Sequence, residues 1–201
     1  MGSKVLVVGG TGFIGAALTR AISRRSHSCT VLSKYAPSTS DIIEGVEYMH
    51  ADIFDECILS EILKGRDFEF VVNLAGYVDH SAYNSGGYDV LNTHFFGLMN
   101  LVRQLNHDKL KRFINVGSSN EYGVRCSPLQ EDKRELPSNP YSFAKVASTQ
   151  FLQSINRAEG FPAVIVRLFL VYGETQPTNR VISQVVEGCL RNEVIELSGG
   201  A

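Results

Sequence analysis

Paired cysteines, excess charge and long apolar runs are all missing from this chain, and each absence narrows what it can be. The four cysteines, Cys29, Cys57, Cys126 and Cys189, are scattered without any C-x-x-C pair. That spacing fits neither a disulfide framework nor a zinc site, and reads as reduced thiols in a cytoplasm. The five histidines, His27, His50, His80, His94 and His107, show no metal-ligand spacing, so no metal is expected. A formal net charge of −2 gives no electrostatic reason to expect a nucleic acid or an anionic membrane as partner. No apolar run approaches the roughly 18 residues that a membrane span requires. The N-terminal run "VLVV" (5–8) is also too short for the core of a signal peptide. Internal repeats, low-complexity tracts and obvious linkers are absent as well. With 44% hydrophobic and 20% charged residues, 201 residues suffice for one soluble globular domain with a full core.

What is present is a series of short, unbroken apolar runs, the pattern of strands buried on both faces of a parallel sheet. They are "VLVV" (5–8), "TVLS" (30–33), "FEFVVNLA" (68–75), "RFINVG" (112–117) and "AVIVRLF" (163–169), with a more polar third strand at "VEYMHA" (46–51). Helical stretches alternate with them, over 13–25, roughly 55–64, roughly 88–106 and 141–158. This alternation predicts an α/β fold with a doubly wound parallel sheet, a Rossmann fold. A polar, proline-bearing loop occupies 123–140. Beyond Gly173 come the loop "ETQPTN", an amphipathic helix near 180–191, and "VIELSGGA", which reads as a strand running into a turn. The expected division is a dinucleotide-binding domain over 1–173 and the start of a substrate-binding region over 174–201, most of that region being absent.

The first strand leads into "GGTGFIG", giving Gly9-x-x-Gly12-x-x-Gly15 between a strand and a helix, the context a dinucleotide fingerprint requires. Gly9 permits the tight turn, Gly12 lets the backbone approach a pyrophosphate, and Gly15 lets the helix pack on the sheet. The helix N-terminus then holds the phosphates. An NAD site places a carboxylate at the end of the second strand to accept from the ribose hydroxyls. This chain has Ser33 there, then Lys34, and no carboxylate before Asp41. A hydroxyl and a cation suit a 2′-phosphate better, so the cofactor expected is NADP, with NAD as the alternative. Asp52 reads equally as an adenine contact or as a turn-capping aspartate.

"NPYSFAK" (139–145) sets Lys145 four residues after Tyr141, one turn apart on a helix face. Ser118, Ser119 and Asn120 follow the fifth strand, at the sheet edge where such folds bind ligands. A phenol has an ordinary pKa of about 10, too high for acid–base work at neutral pH. A neighbouring ammonium brings it into range, and the serine hydroxyl can donate to an oxygen that gains charge as hydride moves.

"GGTGFIG", "NLAG" (73–76), Asn92 in "VLNTHFFGLMNLV", "SSNEYG", "YSFAK" and "RLFLVYG" occur in the order seen in extended short-chain dehydrogenases/reductases, the NAD(P)-dependent nucleotide-sugar epimerases, dehydratases and 4-ketoreductases. The chain resembles that family over almost its whole length. The resemblance implies a catalytic triad of Ser118, Tyr141 and Lys145, with Asn92 supporting the lysine. It implies cofactor contacts from Gly9, Thr11, Gly12, Phe13, Ile14, Gly15, Ser33, Lys34, Asp52, Ile53, Leu74, Ala75, Gly76, Asn92, Tyr141 and Lys145. Substrate contacts fall to Tyr77, Ser119 and Asn120. His80, Asp79, Tyr83 and Tyr88 lie near the same edge but are assigned no role.

Family dehydratases usually carry one or two acids after the catalytic Ser or Thr. Here Ser119 and Asn120 stand at those positions, and Glu121 lies one place further on. The resemblance therefore implies a 4-ketoreductase acting on a nucleotide-linked 4-keto-6-deoxyhexose, with a nucleotide-sugar 4-epimerase as close rival. A non-catalytic dinucleotide-binding or sensor protein is the alternative of another class. Leu170 and Glu174 replace the family's usual Asn and Pro, so substrate contacts in that loop do not carry over. The abrupt end suggests a fragment, lacking the portion that normally binds the nucleotide. A homodimer through the helices near 88–106 and 141–158 is expected.

Overall fold

The alternation of strand and helix is realised in a computed structural model, which describes residues 2–124 and 126–196. Strands β1 (Lys4–Val8), β2 (Ser28–Ser33), β3 (Val46–His50), β4 (Phe70–Asn73), β5 (Arg112–Ser118) and β6 (Ala163–Leu168) form one sheet. Their order is β3-β2-β1-β4-β5-β6, and every neighbouring pair is parallel. Helices α1 (Phe13–Ser23), α2 (Glu56–Leu63), α3 (Gly87–Leu91), α4 (Gly97–Gln104), α5 (Pro140–Glu159) and α6 (Val181–Arg191) complete the fold.

The unbroken run at β1 has its reason in the packing. Leu6 and Val8 face one buried cluster with Leu59 and Leu63 of α2 and Leu98 and Leu101 of α4. Val5 and Val7 face the opposite cluster, with Val31 and Ile22 of α1. Both faces are covered, so both sets of alternating side chains must be apolar. Each fully buried side chain such as Leu6 or Phe113 contributes about 1.5–3 kcal/mol by leaving water. The strand order reverses between β1 and β4, which opens a crevice at their carboxyl ends.

Several elements differ from the sequence reading. β4 stops at Asn73, although the Leu74 N–H still donates to the Val8 carbonyl at 2.8 Å. β3 stops at His50. The single helix expected over 88–106 runs without a gap from Gly87 to Gln104 but carries a π turn within it. Asn92–Phe96 forms a π turn in which the Gly97 N–H reaches back to the Asn92 carbonyl. The side chain of Ser148 on α5 donates to the His94 carbonyl at 2.8 Å, tying this turn to its neighbour. The strand expected within "VIELSGGA" is not formed over 194–196, and its remainder, 197–201, lies outside the described residues.

The chain divides into two compact units between Leu168 and Phe169, ahead of the boundary expected after Gly173. The first holds the whole sheet and α1–α5. The second contains α6, closed by Asn192 at φ 57°. Among the described residues no helix is long and apolar enough to cross a membrane. No cluster of three or more His, Cys, Asp or Glu among them could hold a metal.

Candidate active site

The glycine turn lies at the crevice where the strand order reverses. Gly9 has φ +78°, and a Cβ there would come within 2.9 Å of the Leu74 backbone. Only glycine allows that approach of the first turn to the end of β4. A Cβ on Gly15 would lie 2.2 Å from the Gly9 carbonyl oxygen, so α1 can pack on the turn only without one. At Gly12 an added Cβ would meet only the Gly9 carbonyl oxygen, at 3.4 Å. No side chain caps α1, leaving its first N–H groups to an outside acceptor. This cradle fits a dinucleotide pyrophosphate on its own geometry. Phe13 and Ile14, in the first turn of α1, are half-buried.

At the end of β2, Ser33 is buried and its Oγ accepts from the Thr11 N–H at 3.2 Å. The Thr11 hydroxyl in turn donates to the Tyr35 carbonyl at 3.4 Å. Lys34 pairs with Asp52 at 2.9 Å, and the Lys34 side chain is 58% exposed. That contact raises the Lys34 ammonium above its ordinary range. Burial pushes the Asp52 carboxyl up, but Lys34 and the Phe54 N–H outweigh it and hold the group below its usual value. Asp52 therefore caps the turn at Phe54, at 3.0 Å, while holding the lysine. Ile53 is buried against the α4 start, where a Cβ on Gly97 would come within 2.7 Å of it.

Local sequence explains how α5 presents its tyrosine and lysine. The Asn139 side chain accepts from the Ser142 N–H at 2.9 Å, and Ser142 Oγ accepts from the Asn139 N–H at 3.1 Å. Pro140, at the first helical position, needs no partner for a missing N–H. This reciprocal cap starts the helix that carries Tyr141 and Lys145 one turn apart. Both are buried, at 6% and 8% exposure. The Lys145 ammonium donates to the Val116 carbonyl at 2.8 Å and lies 5.9 Å from the Tyr141 ring centre. Val116 is two residues before Ser118, so the lysine sits under the end of β5. Burial lowers its pKa to about 8, while the Glu121 carboxylate acts in the opposite direction.

Ser118 ends β5 and caps the short 3-10 turn Ser119–Tyr122. Its Oγ accepts from the Asn120 N–H at 3.2 Å, which leaves the hydroxyl proton free to be donated elsewhere. Ser119 and Asn120 are half-buried in that turn, and Tyr77 is exposed beyond β4. The Asn73 amide donates to Asn115 Oδ1 at 2.9 Å, tying the end of β4 to the middle of β5.

Two residues without a role in the sequence reading stand close to this constellation. His94, from the π turn, packs its ring edge-on to Tyr141 with centres 5.2 Å apart. Its Nε2 lies 2.8 Å from the Tyr77 carbonyl oxygen and 3.3 Å from the Tyr77 nitrogen, which anchors the ring to the backbone beyond β4. Burial, then the Lys145 charge, lower its pKa to about 3, so the ring is neutral. Asn92 opens the π turn and is half-buried; the side chain from this turn that meets the tyrosine is His94. The second residue is Glu121, fully buried behind Ser118. Its position was visible as the Ser-x-x-Glu capping signature that begins at Ser118. His80 approaches the other side of Tyr141, with ring centres 5.5 Å apart.

Residues 5–201 match the NAD dependent epimerase/dehydratase family. A dTDP-D-glucose 4,6-dehydratase of Dictyostelium discoideum is 25% identical, over 98% of this chain and 50% of its own length. A UDP-glucose 4-epimerase of Lactobacillus helveticus is 26% identical, over 85% of this chain and 52% of its own length. The chain thus spans about half the length of these relatives. A UDP-glucuronic acid 4-epimerase of Bacillus cereus, solved in complex with NAD, shares the fold with a TM-score of 0.80. It is 22% identical, covering 94% of this chain and 64% of the other.

Proposed function

Since this chain belongs to the NAD dependent epimerase/dehydratase family, we propose that it is a nicotinamide-dependent enzyme reducing the 4-keto group of a nucleotide-linked 6-deoxyhexose. The observation that carries this reading is the buried Lys145 ammonium, bonded to Val116 at the end of β5 and one helical turn from Tyr141. A bound nicotinamide dinucleotide supplies the hydride. The Ser118 hydroxyl donates to the carbonyl oxygen on which negative charge develops. Tyr141 delivers the proton to that oxygen, and Lys145, cationic below pH about 8, supplies the positive field against which the phenol gives up and retakes it. The Gly9–Gly15 turn holds the pyrophosphate. Ser33 and Lys34, with no carboxylate beside the strand end, favour a 2′-phosphate and hence NADP. Tyr77, Ser119 and Asn120 face the sugar.

A 4-epimerase is the second reading, favoured by the epimerase among the relatives, since the same three side chains suffice for it. Elimination of water is disfavoured. Ser119 and Asn120 bring no carboxylate, and Glu121 is wholly buried and already bonded to Arg167. The homodimer expected through the long helices would cover Phe96, Met99 and Phe143, all exposed in the single chain.

Incubation with a nucleotide-linked 4-keto sugar separates the readings. NADPH oxidation supports the reductase, isomerisation without net cofactor change supports the epimerase, and binding with neither supports a non-catalytic sensor. Tyr141→Phe is expected to bind cofactor as before and to lose roughly 10²–10⁴-fold in turnover. Unchanged turnover removes Tyr141 from the mechanism.

A further inference from the structure

Behind Ser118 lies a charged cluster that the proposed chemistry does not use. Glu121 is fully buried, and its two oxygens receive three donors. The Ser118 N–H donates to Oε1 at 2.8 Å, while the Thr149 hydroxyl and Arg167 Nε donate to Oε2 at 2.7 and 2.9 Å. These donors come from the end of β5, from α5 and from β6. Arg167 also binds Glu135 at 2.7 Å and lies 4.7 Å from the Tyr122 ring centre. Gly117 belongs to the same arrangement, because a Cβ there would stand 2.3 Å from Glu121 Oε1.

The cluster reaches Lys145 through both α5 and β5. Thr149, which donates to Glu121, stands one turn after Lys145 on α5, and the Val116 carbonyl that holds the Lys145 ammonium lies two residues before the Ser118 N–H that Glu121 holds. The Glu121 charge acts on that ammonium in favour of its charged form. The Lys145 charge also acts on His94, which is neutral, and the ammonium lies 5.9 Å from the Tyr141 ring centre. Two groups therefore favour the charged form of Lys145: the Val116 carbonyl, which accepts from it, and the Glu121 carboxylate. A buried ion pair is weak evidence of a stabilising purpose, since well-packed apolar residues commonly serve stability as well or better. Placement against both Ser118 and Lys145 gives this one a different use.

We propose that Glu121 is a positioning residue for the reaction: its carboxylate fixes the strand end that carries Ser118 and serves as counter-charge to the Lys145 ammonium. The inference rests on the reading of Ser118, Tyr141 and Lys145 as the reacting set. Glu121 touches no substrate; it acts through those two residues. Its charge and its reach are separable. Glu121→Gln keeps the shape and removes the charge, whereas Glu121→Asp keeps the charge and withdraws the oxygens from the Ser118 N–H.

The test follows the Lys145 titration by NMR of chain labelled with ¹³C at the lysine ε-carbon, the signal being assigned by its loss in Lys145→Met. This readout requires neither cofactor nor turnover. In Glu121→Gln the midpoint is expected to fall by roughly one pH unit from its wild-type value. In Glu121→Asp it is expected to stay, while turnover of the 4-keto sugar drops roughly ten- to a hundredfold through displacement of Ser118. If Glu121→Gln does not fold, Glu121→Asp carries the test, with faster hydrogen exchange at the Ser118 amide as its second readout. An unmoved midpoint in Glu121→Gln, or wild-type turnover and amide exchange in Glu121→Asp, overturns the proposal. A lowered midpoint with undiminished turnover would instead overturn the catalytic assignment on which it rests.

Discussion

At Lys145 the proposed function and stability oppose each other. Burial takes its pKa from 10.5 to about 8. Below pH 8 the folded and unfolded chains both carry the proton, and the full cost of burying the ammonium, about 3 kcal/mol, is present. Between pH 8 and 10.5 the folded chain has lost a proton that the unfolded chain still binds, so this group's contribution to stability rises with pH. Lys145→Met should therefore stabilise the fold at pH 7 by roughly 1–3 kcal/mol, the lost bond to Val116 offsetting part of the gain. The advantage should shrink toward pH 10. Urea denaturation of both chains at pH 7 and pH 9.5 measures it, and a difference independent of pH would show that the ammonium is not strained by burial. Natural chains tolerate such a cost where activity needs the group.

Among the elements, the π turn Asn92–Phe96 does the most to shape the site, because the extra residue in its hydrogen-bonded loop aims His94 at Tyr141. Its counterpart is Gly76, at φ +129°, where a Cβ would stand 2.0 Å from His94 Cε1. Gly76→Ala meets both a backbone conformation foreign to alanine and a ring locked by the Tyr77 carbonyl. A loss of about 2–4 kcal/mol is expected in chemical denaturation, relieved in part when His94→Ala is added. Full additivity of the two changes would refute the contact as cause. This pairing was not legible in the sequence. Apolar runs announce strands and caps announce helix starts, so β1, β2, β5, β6, the glycine turn and the start of α5 could be read locally. An inserted helical residue leaves no local mark in "NTHFF", and the bond that ties this turn to its neighbour comes from Ser148, 54 residues away. Glu121 was hidden for a similar reason. Its place beside Ser118 could be read, but its partners Thr149 and Arg167 meet it only in the folded chain. Residues 194–196 show the opposite failure, since β-branched composition alone does not make a strand.

At the scale of the whole molecule, the groups assigned to the dinucleotide, from the glycine turn through Lys145, all lie in the unit that ends at Leu168. Dinucleotide binding should then raise the stability of that unit whatever the chain does with a sugar. A ligand that binds only the folded state at one hundred times its Kd adds about 2.7 kcal/mol. For a chain of this size that corresponds to an increase in Tm of about 5–10 °C. The reading of the β2 end predicts a larger shift with NADPH than with NADH at equal concentration. Ser33 sits at the strand terminus with its Oγ on the Thr11 N–H, so an aspartate there would bring a carboxylate to the ribose and repel a 2′-phosphate. Ser33→Asp is accordingly expected to reverse the order of the two shifts. Equal shifts in the parent chain, or an order left unaltered by the substitution, would defeat the assignment of NADP. The absence of any shift with either dinucleotide would defeat the cradle itself, since among the described residues of the first unit no other element offers an uncapped helix N-terminus behind three glycines at the strand crossover.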